Sequence, residues 1–314
     1  MVVDILYDII IAKRRKLILR QKDMDYIIFD LEWNQPPVEN EIVTHPVFLT
    51  GEIIEIGAVK LNECFEQVDE LRLYIKPQYY TKMHHRVASL TGIHDRDLQS
   101  KGHPFTEAFV QFQQWCGENF AYMTWSMSDL PVLVDNMLLH GIDTSDLPVC
   151  YDIQRIFGRE IMRSTTRYSL DMAFSILSEP GDTAHDALHD ARNTARVCTH
   201  LDLDTFLDEY GAKVFLMEPY CKVYECRENV LTDTDLTSFS CPWCEEAIQC
   251  ENWVPWGTRS VAAVASCDEG DEFFVQITYS RHHTGAYYAK RLIYEMSDDL
   301  WELYQEAKQI CHAK

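Results

Sequence analysis

The chain has 314 residues and a formal net charge of −22, from 28 Lys and Arg against 50 Asp and Glu. With 46% hydrophobic and 25% charged residues it has a globular composition, which excludes a disordered or collagen-like chain, and its length suggests about two domains. No apolar run approaches the roughly 20 residues needed to span a bilayer, and the charge argues against nucleic-acid binding by phosphate neutralisation alone. An acidic protein that handles phosphodiesters needs bound cations to offset its own carboxylates.

Residues 1–23 read as one amphipathic helix that mixes Ile, Leu and Tyr with the basic cluster Lys13–Lys16. Three readings stay open: a helix on a membrane surface, a helix packed on the domain, or a leader upstream of a true start at Met24. The basic residues follow the apolar stretch instead of preceding it, so this is no signal-peptide layout. The eleven cysteines are scattered. Together these features predict reduced thiols in the cytoplasm, with any ordered Cys cluster binding metal.

Residues 26–31 form a short apolar run rich in β-formers, as in a buried central strand. After a loop with Pro36, Pro37 and Pro46, Glu52–Lys60 and Leu71–Lys76 read as two more strands, which suggests a meander. Helices and strands then alternate. Helical spacing marks 106–117, a strand 120–125, a helix 130–139 and a short strand 149–152, with helices near 153–161, 169–178 and 186–202. The fold class is α/β, a mixed sheet with helices on both faces. Glu218 and Pro219 read as a linker, 237–296 as strand-rich, and 297–311 as a closing helix. Domain boundaries are placed at 1–24, 25–204 and 205–314.

Three acidic clusters carry the chemistry. Asp30 and Glu32 end the first strand, and residues i and i+2 share one strand face. Two like charges there repel unless something positive lies between them, and Mg²⁺ takes carboxylates plus phosphate oxygens; a solvated strand end is the plainer reading. Asp129 falls where a strand gives way to a helix, with Pro131 in the first turn, which also suits an ordinary cap. His185 and Asp190 are five apart, too far to stack on one helix face. They converge if Asp190 is helical and His185 sits in the loop before it. Asp186 and His189 compete for that role.

Taken in order, these residues resemble the DEDDh family of 3′→5′ exonucleases, which includes RNase T, the proofreading subunit of DNA polymerase III, and small-RNA and histone-mRNA trimming enzymes. The resemblance covers about residues 25–202 and extends to Glu52–Gly57, Leu90–Asp95 and His185–Ala191. Asp186 stands where the Tyr-type sister subfamily would carry Tyr, which favours the His branch. The resemblance implies an RNase H-like fold, Asp30, Glu32, Asp129 and Asp190 as ligands of two Mg²⁺ or Mn²⁺ ions, and His185 as general base. It places Thr91, Gly92 and Ile93 near the terminal nucleotide. Trp33 departs from the small hydroxyl residue many members carry; it suits stacking on a base or sugar, worth roughly 1–3 kcal/mol per base, or core packing.

The chemistry is consistent with that implication. Phosphodiester hydrolysis needs an activated water and charge stabilisation on attacking and leaving oxygens, which two divalent ions about 4 Å apart supply. A His with an unperturbed pKa near ~6.5 suits proton abstraction at neutral pH. The expected products are nucleoside 5′-monophosphates from the 3′ end of single-stranded RNA or DNA. A non-catalytic module binding nucleic acid or protein, and a small-nucleotide phosphohydrolase with the same site, are the competing readings.

In the C-terminal region, Cys241 and Cys244 have the spacing of a zinc knuckle. Their surroundings resemble a small zinc ribbon, and Cys267 supplies part of a second pair. The fourth ligand is undecided among Asp271, Cys250, Cys226 and His282. Trp243, Trp253 and Trp256 read as core of this module. Oligomeric state is not legible.

Overall fold

The computed structural model describes residues 24–37, 42–43, 46–144, 147–179, 185–210, 214–216, 223–241, 243–281 and 285–312. The helix expected over 1–23, the linker at Glu218 and Pro219, and the candidate ligand His282 lie outside these residues.

Strand β1 (Asp25–Asn34) pairs antiparallel with β2 (Glu52–Leu61), which pairs antiparallel with β3 (Gln67–Tyr74). Two short helices, α1 (His85–Thr91) and α2 (Asp95–Lys101), precede α3 (Phe105–Cys116). Then come β4 (Phe120–Thr124), α4 (Asp129–Leu139), β5 (Cys150–Asp152), α5 (Ile153–Glu160), α6 (Leu170–Leu177), α7 (Ala187–Cys198) and α8 (Leu203–Tyr210). β4 runs parallel to β1 and β5 parallel to β4, so the sheet order is β3-β2-β1-β4-β5. A meander followed by crossover units is the mixed sheet the sequence predicts. Helices α1 and α2 were not expected: each buries one side chain, Val87 and Leu98, too few to show a helical period. The helix expected over 186–202 is α7, which ends at Cys198, and α8 follows it as a further helix that was not expected.

The alternation of β1 divides the core. Ile27, Phe29 and Leu31 face the layer built by Phe109 and Phe112 of α3 and Leu133 and Met137 of α4. Tyr26 and Ile28 face the other layer, where Leu188, Ala191 and Ala195 of α7 and Leu207 of α8 pack. Phe112 is fully buried, and truncating such a ring costs about 3–5 kcal/mol.

The C-terminal region holds β6 (Val214–Leu216), β7 (Val223–Tyr224), a 3-10 turn at Arg227–Val230, α9 (Thr234–Thr237), the hairpin β8 (Ser238–Ser240) and β9 (Ala247–Gln249), then β10 (Val254–Pro255), β11 (Ser260–Ser266), β12 (Glu272–Arg281), β13 (Tyr287–Glu295) and α10 (Asp298–His312). Its main sheet has the order β10-β11-β12-β13-β6, with β7 also paired to β13. The ribbon-like hairpin is thus only the smaller part of this region. Trp253 and Trp256 pack against buried clusters as expected, but Trp243 is 49% exposed, because it sits at the loop tip and stacks on Phe273 with one face only.

The two regions share one buried cluster: Phe274, Leu292, Tyr294, Leu300 and Tyr304 pack with Ile27, Phe29 and Phe112. Among the described residues two ion pairs cross the same boundary: Arg159 on α5 with Glu302 on α10 at 3.1 Å, and Lys290 on β13 with the buried Asp135 on α4. Burial raises the Asp135 pKa while the Lys290 ammonium opposes the shift. Removing the cation leaves a buried carboxylate without its partner, so Lys290→Ala is expected to cost about 3–5 kcal/mol. Adding Asp135→Asn should recover part of that loss; urea unfolding of both variants measures it.

Candidate active site

Asp30 and Glu32 continue the face of β1 that begins with Tyr26 and Ile28, so both carboxylates point toward α7. A β-bulge between Glu32 and Trp33 ends the regular pairing there, as bulges beside active sites commonly do. Asp129 is the first residue of α4, one position inside the cap that sequence assigned to it; Ser128 occupies the cap. Its carboxylate is drawn to β1 instead, accepting the Leu31 N–H at 3.1 Å and the Ser128 hydroxyl at 3.2 Å. Asp190 lies in the first turn of α7, where Asp186 is the N-cap and accepts the His189 N–H at 3.0 Å. His185 sits in the preceding loop with φ 69° and donates its backbone N–H to Asp190 at 3.0 Å. That turn closes the five-residue gap. Glu32, His185 and Asp190 offer ligand atoms within 4.8 Å of one another, and all five residues line one cavity of about 400 Å³.

The electrostatics of this cavity fit a divalent cation. Burial pushes Glu32 up to about 8, with Glu55, Asp190 and Asp129 adding repulsion. Burial pushes Asp129 up to about 7. Asp30 is raised well above its ordinary value by burial and then by Asp129, Asp190 and Glu32. Burial also raises Asp190, although the His185 N–H opposes the shift. Among the described residues no Lys or Arg lines the cavity. Oxygen donors at this density, with no protein cation between them, are what Mg²⁺ and Mn²⁺ bind.

Sequence reasoning missed the support behind these ligands. Glu55 lies directly across from Glu32 in the sheet and is 1% exposed. Burial and then Asp186 push it up to about 7, opposed by Arg72. Arg72 on β3 stands 3.1 Å from Glu55 and also pairs with Asp186, tying the start of α7 to the sheet. Asp186 is therefore an anchor, not a rival of Asp190. The signal for Glu55 was a Glu inside the otherwise apolar run 53–59. A second fastening is Arg192 on α7, whose Nε donates to Glu70 at 2.8 Å.

Gly57 explains how close α7 approaches. A Cβ there would lie 2.0 Å from the Leu188 nitrogen and 2.1 Å from the Ala187 carbonyl carbon, so Gly57→Ala must displace backbone. The cost is expected to be about 1–3 kcal/mol or more. Because His185 and Asp190 move with α7, activity should fall roughly 10²-fold, measured as kcat/KM beside a thermal melt.

Of the expected substrate contacts, Trp33 and Thr91 line the cavity. Gly92 and Ile93 do not. Gly92 ends α1 in the left-handed conformation, φ 71°, and Ile93 is buried with Ile54, Val87 and Leu98, where its apolar side chain is shielded from water. Leu90 and Val87 take their places at the cavity. The Trp33 ring also covers Gly51, where a Cβ would meet its Cδ1 at 2.2 Å. In the C-terminal region, Cys241, Cys244 and Cys267 form the other candidate metal cluster, with sulfur atoms within 4.8 Å of one another.

A parallel-and-antiparallel sheet presenting acidic strand ends to a helix that carries a further Asp defines a metal-dependent nuclease. The family model for the RNase T exonuclease domain matches residues 27–198, and the chain belongs to this exonuclease family. Solved structures share the fold. A 3′-exonuclease described in 3′-end-specific recognition of the histone mRNA stem-loop is 19% identical, with a TM-score of 0.52 over 61% of this chain and 87% of that one. A full-length 3′-exonuclease is 21% identical, with a TM-score of 0.50 over 58% of this chain and 61% of that one. Cell-death related nuclease 4 is 21% identical, with a TM-score of 0.48 over 56% of this chain; the match spans 62% of that nuclease's length. A search of curated proteins returned no match.

Proposed function

We propose that this protein removes nucleotides one at a time from the 3′ end of single-stranded RNA or DNA and releases nucleoside 5′-monophosphates. The observation that carries the reading is the convergence of Glu32, His185 and Asp190 within 4.8 Å in the cavity that Asp30 and Asp129 also line. In this reading Asp30, Glu32, Asp129 and Asp190 hold two Mg²⁺ or Mn²⁺ ions. Such a pair, when bound, supplies charge stabilisation at the attacking and leaving oxygens and lowers the pKa of water. His185 accepts the proton of the attacking water. The new bond forms between that oxygen and phosphorus, the bond from phosphorus to O3′ breaks, and the shortened strand leaves with a 3′-hydroxyl. Trp33 stacks on the terminal base or sugar, and Thr91 borders the same nucleotide.

A structural zinc held by Cys241, Cys244 and Cys267 belongs to the same proposal, as does a cytoplasmic location. None of the described cysteines forms a disulfide, as in a reducing compartment. No helix among the described residues is long and apolar enough to cross a membrane.

The test is incubation with 5′-labelled and 3′-labelled single-stranded RNA and DNA in Mg²⁺, Mn²⁺ or EDTA, with Asp190→Ala as control. Stepwise metal-dependent shortening from the 3′ end, lost in the variant, is the expected result. Hydrolysis of a chromogenic nucleotide ester with every oligomer left intact would replace this reading with a small-nucleotide phosphohydrolase. No hydrolysis of either would leave a binding module.

A further inference from the structure

We infer that Asp271 completes the cysteine cluster and that the C-terminal region carries a tetrahedral Cys3Asp zinc site. Two hairpins meet there. The first follows β8, where the Cys241 N–H donates to the Glu246 carbonyl at 2.7 Å and the Glu245 N–H to the Cys241 carbonyl at 3.0 Å. Glu245 has φ 61°, the left-handed residue that lets the chain turn back under its ligands. The N–H groups of Trp243 and Cys244 point at the Cys241 sulfur, and that of Glu246 at the Cys244 sulfur. Backbone donors aimed at both sulfurs hold them in place as ligands. The second hairpin joins β11 to β12. The Cys267 N–H donates to the Asp271 carbonyl, and the Gly270 N–H to the Cys267 carbonyl, each at 3.0 Å.

This second turn brings the Asp271 carboxylate to 3.4 Å from the Cys267 sulfur and 3.9 Å from the Cys241 sulfur. Its Oδ2 is therefore beside two of the three sulfurs and more than 4.8 Å from the third, Cys244, a gap that a bound zinc would close. The rival ligands are elsewhere. Cys250 is buried in the same apolar cluster as Cys241 and Cys267, but it is not in the three-sulfur group. Cys226 caps the 3-10 turn and is likewise outside that group. Zinc accepts three thiolates and one carboxylate oxygen in a closed structural site, and binding releases the thiol protons.

Cobalt substitution tests this on the intact protein. Thiolate-to-cobalt charge transfer and a tetrahedral ligand field arise only from the cysteine cluster, so ions at the acidic cavity do not interfere. One equivalent of zinc should compete the cobalt away. Removing a direct ligand should weaken binding at least as much as the ~10–100-fold typical of outer-shell changes, so Asp271→Ala is expected to weaken cobalt affinity tenfold or more. Asp271→Cys should retain one equivalent and strengthen the charge-transfer band. Unchanged cobalt affinity and ligand field in Asp271→Ala would overturn the assignment, as would a thiol count showing Cys241 and Cys244 in a disulfide.

A different observation carries a second inference, which rests on the exonuclease reading. A cavity of about 390 Å³ lies at the junction of the two regions. Arg155 and Arg159 of α5, Arg167 of the following loop, Trp256 and Gln276 of the C-terminal region, and one carboxylate, Asp152, line it, so arginines outnumber acids three to one. In a chain of net charge −22, three arginines around one concave surface mark an anion site, beside an indole that can stack. Arg159 is also paired with Glu302 at 3.1 Å. The cavity adjoins the acidic one through a single partition. The Tyr168 carbonyl accepts from Trp125 Nε1 at 3.1 Å and Gln154 Nε2 at 2.8 Å, and Trp125 and Ser169 already line the acidic cavity. Arg167 to Ser169 spans at most roughly 7 Å, about two stacked nucleotides of one strand.

We propose that this junction cleft holds the backbone phosphates of the substrate strand 5′ of the scissile bond. The test compares a dinucleotide with a ten-nucleotide strand. Arg167→Ala and Arg155→Ala should raise KM for the decamer about tenfold, lower its salt dependence by roughly one phosphate each, and leave the dinucleotide unchanged. Equal effects on both substrates, or none on either, would overturn the cleft. A wild-type protein that hydrolyses neither would instead overturn the exonuclease reading.

Discussion

Replacing His185 with Asn should lower kcat by about 10²–10⁴-fold, the usual contribution of a positioned general base. Asn is the informative choice. His185 has φ 69°, a region that Asn tolerates better than most residues, so the loop keeps its shape while the proton acceptor is lost. His185→Ala mixes loss of the base with backbone strain. The backbone N–H that His185 donates to Asp190 survives in either variant, so ion binding and KM should change little. The pH dependence of kcat/KM should lose the limb that reports deprotonation of the base. A variant that keeps more than a tenth of wild-type kcat, with the limb intact, would remove His185 from the proton transfer.

Stability without metal should fall as pH rises from about 5.5 to 8. Glu32 titrates at about 8 in the folded protein and Glu55 at about 7, against an ordinary 4.5; Asp129 titrates at about 7 against 3.8. Burial and mutual repulsion favour their protonated forms in the fold. The stability this confers is fully present below the unfolded values and is lost as pH climbs through the folded ones. A loss of a few kcal/mol across that window corresponds to roughly 5–10 °C in Tm. Divalent ions reverse the trend, because they bind the ionised carboxylates. Mn²⁺ should therefore raise Tm more at pH 8 than at pH 5.5, and Glu32→Gln should flatten both effects. A metal-free protein whose Tm rises over this range, with no response to Mn²⁺, would show that the carboxylates do not act as a set.

Much of the catalytic half was legible because its signals are local. The apolar run 26–31 could only be a buried strand, and its period of two puts Asp30 and Glu32 on one face. The loop placement of His185 followed from arithmetic on a helix. What escaped were features that depend on register or on a turn. Glu55 stands opposite Glu32 only because β1 and β2 pair as they do, and its partner Arg72 comes from a third strand. Asp271 reaches Cys241 because two separate hairpins face each other, and no spacing along the chain encodes that. Helices α1 and α2 are short and mostly exposed, so hydrophobic pattern could not separate them from loop. Gly92 and Ile93 show the reverse error: a segment can border a site while some of its residues cap a helix or fill the core.

The shared cluster of Phe274, Tyr294 and Tyr304 with Phe29 and Phe112 has a practical outcome. The two sheets should melt in a single calorimetric endotherm, because unfolding either one strips the shared cluster from the other. A protein cut after residue 204 is expected to aggregate, not to work as a minimal nuclease. The C-terminal region is thus no detachable cassette: grafting it onto another nuclease, or deleting it from this one, would require redesigning the surfaces of α4 and α8 that meet it.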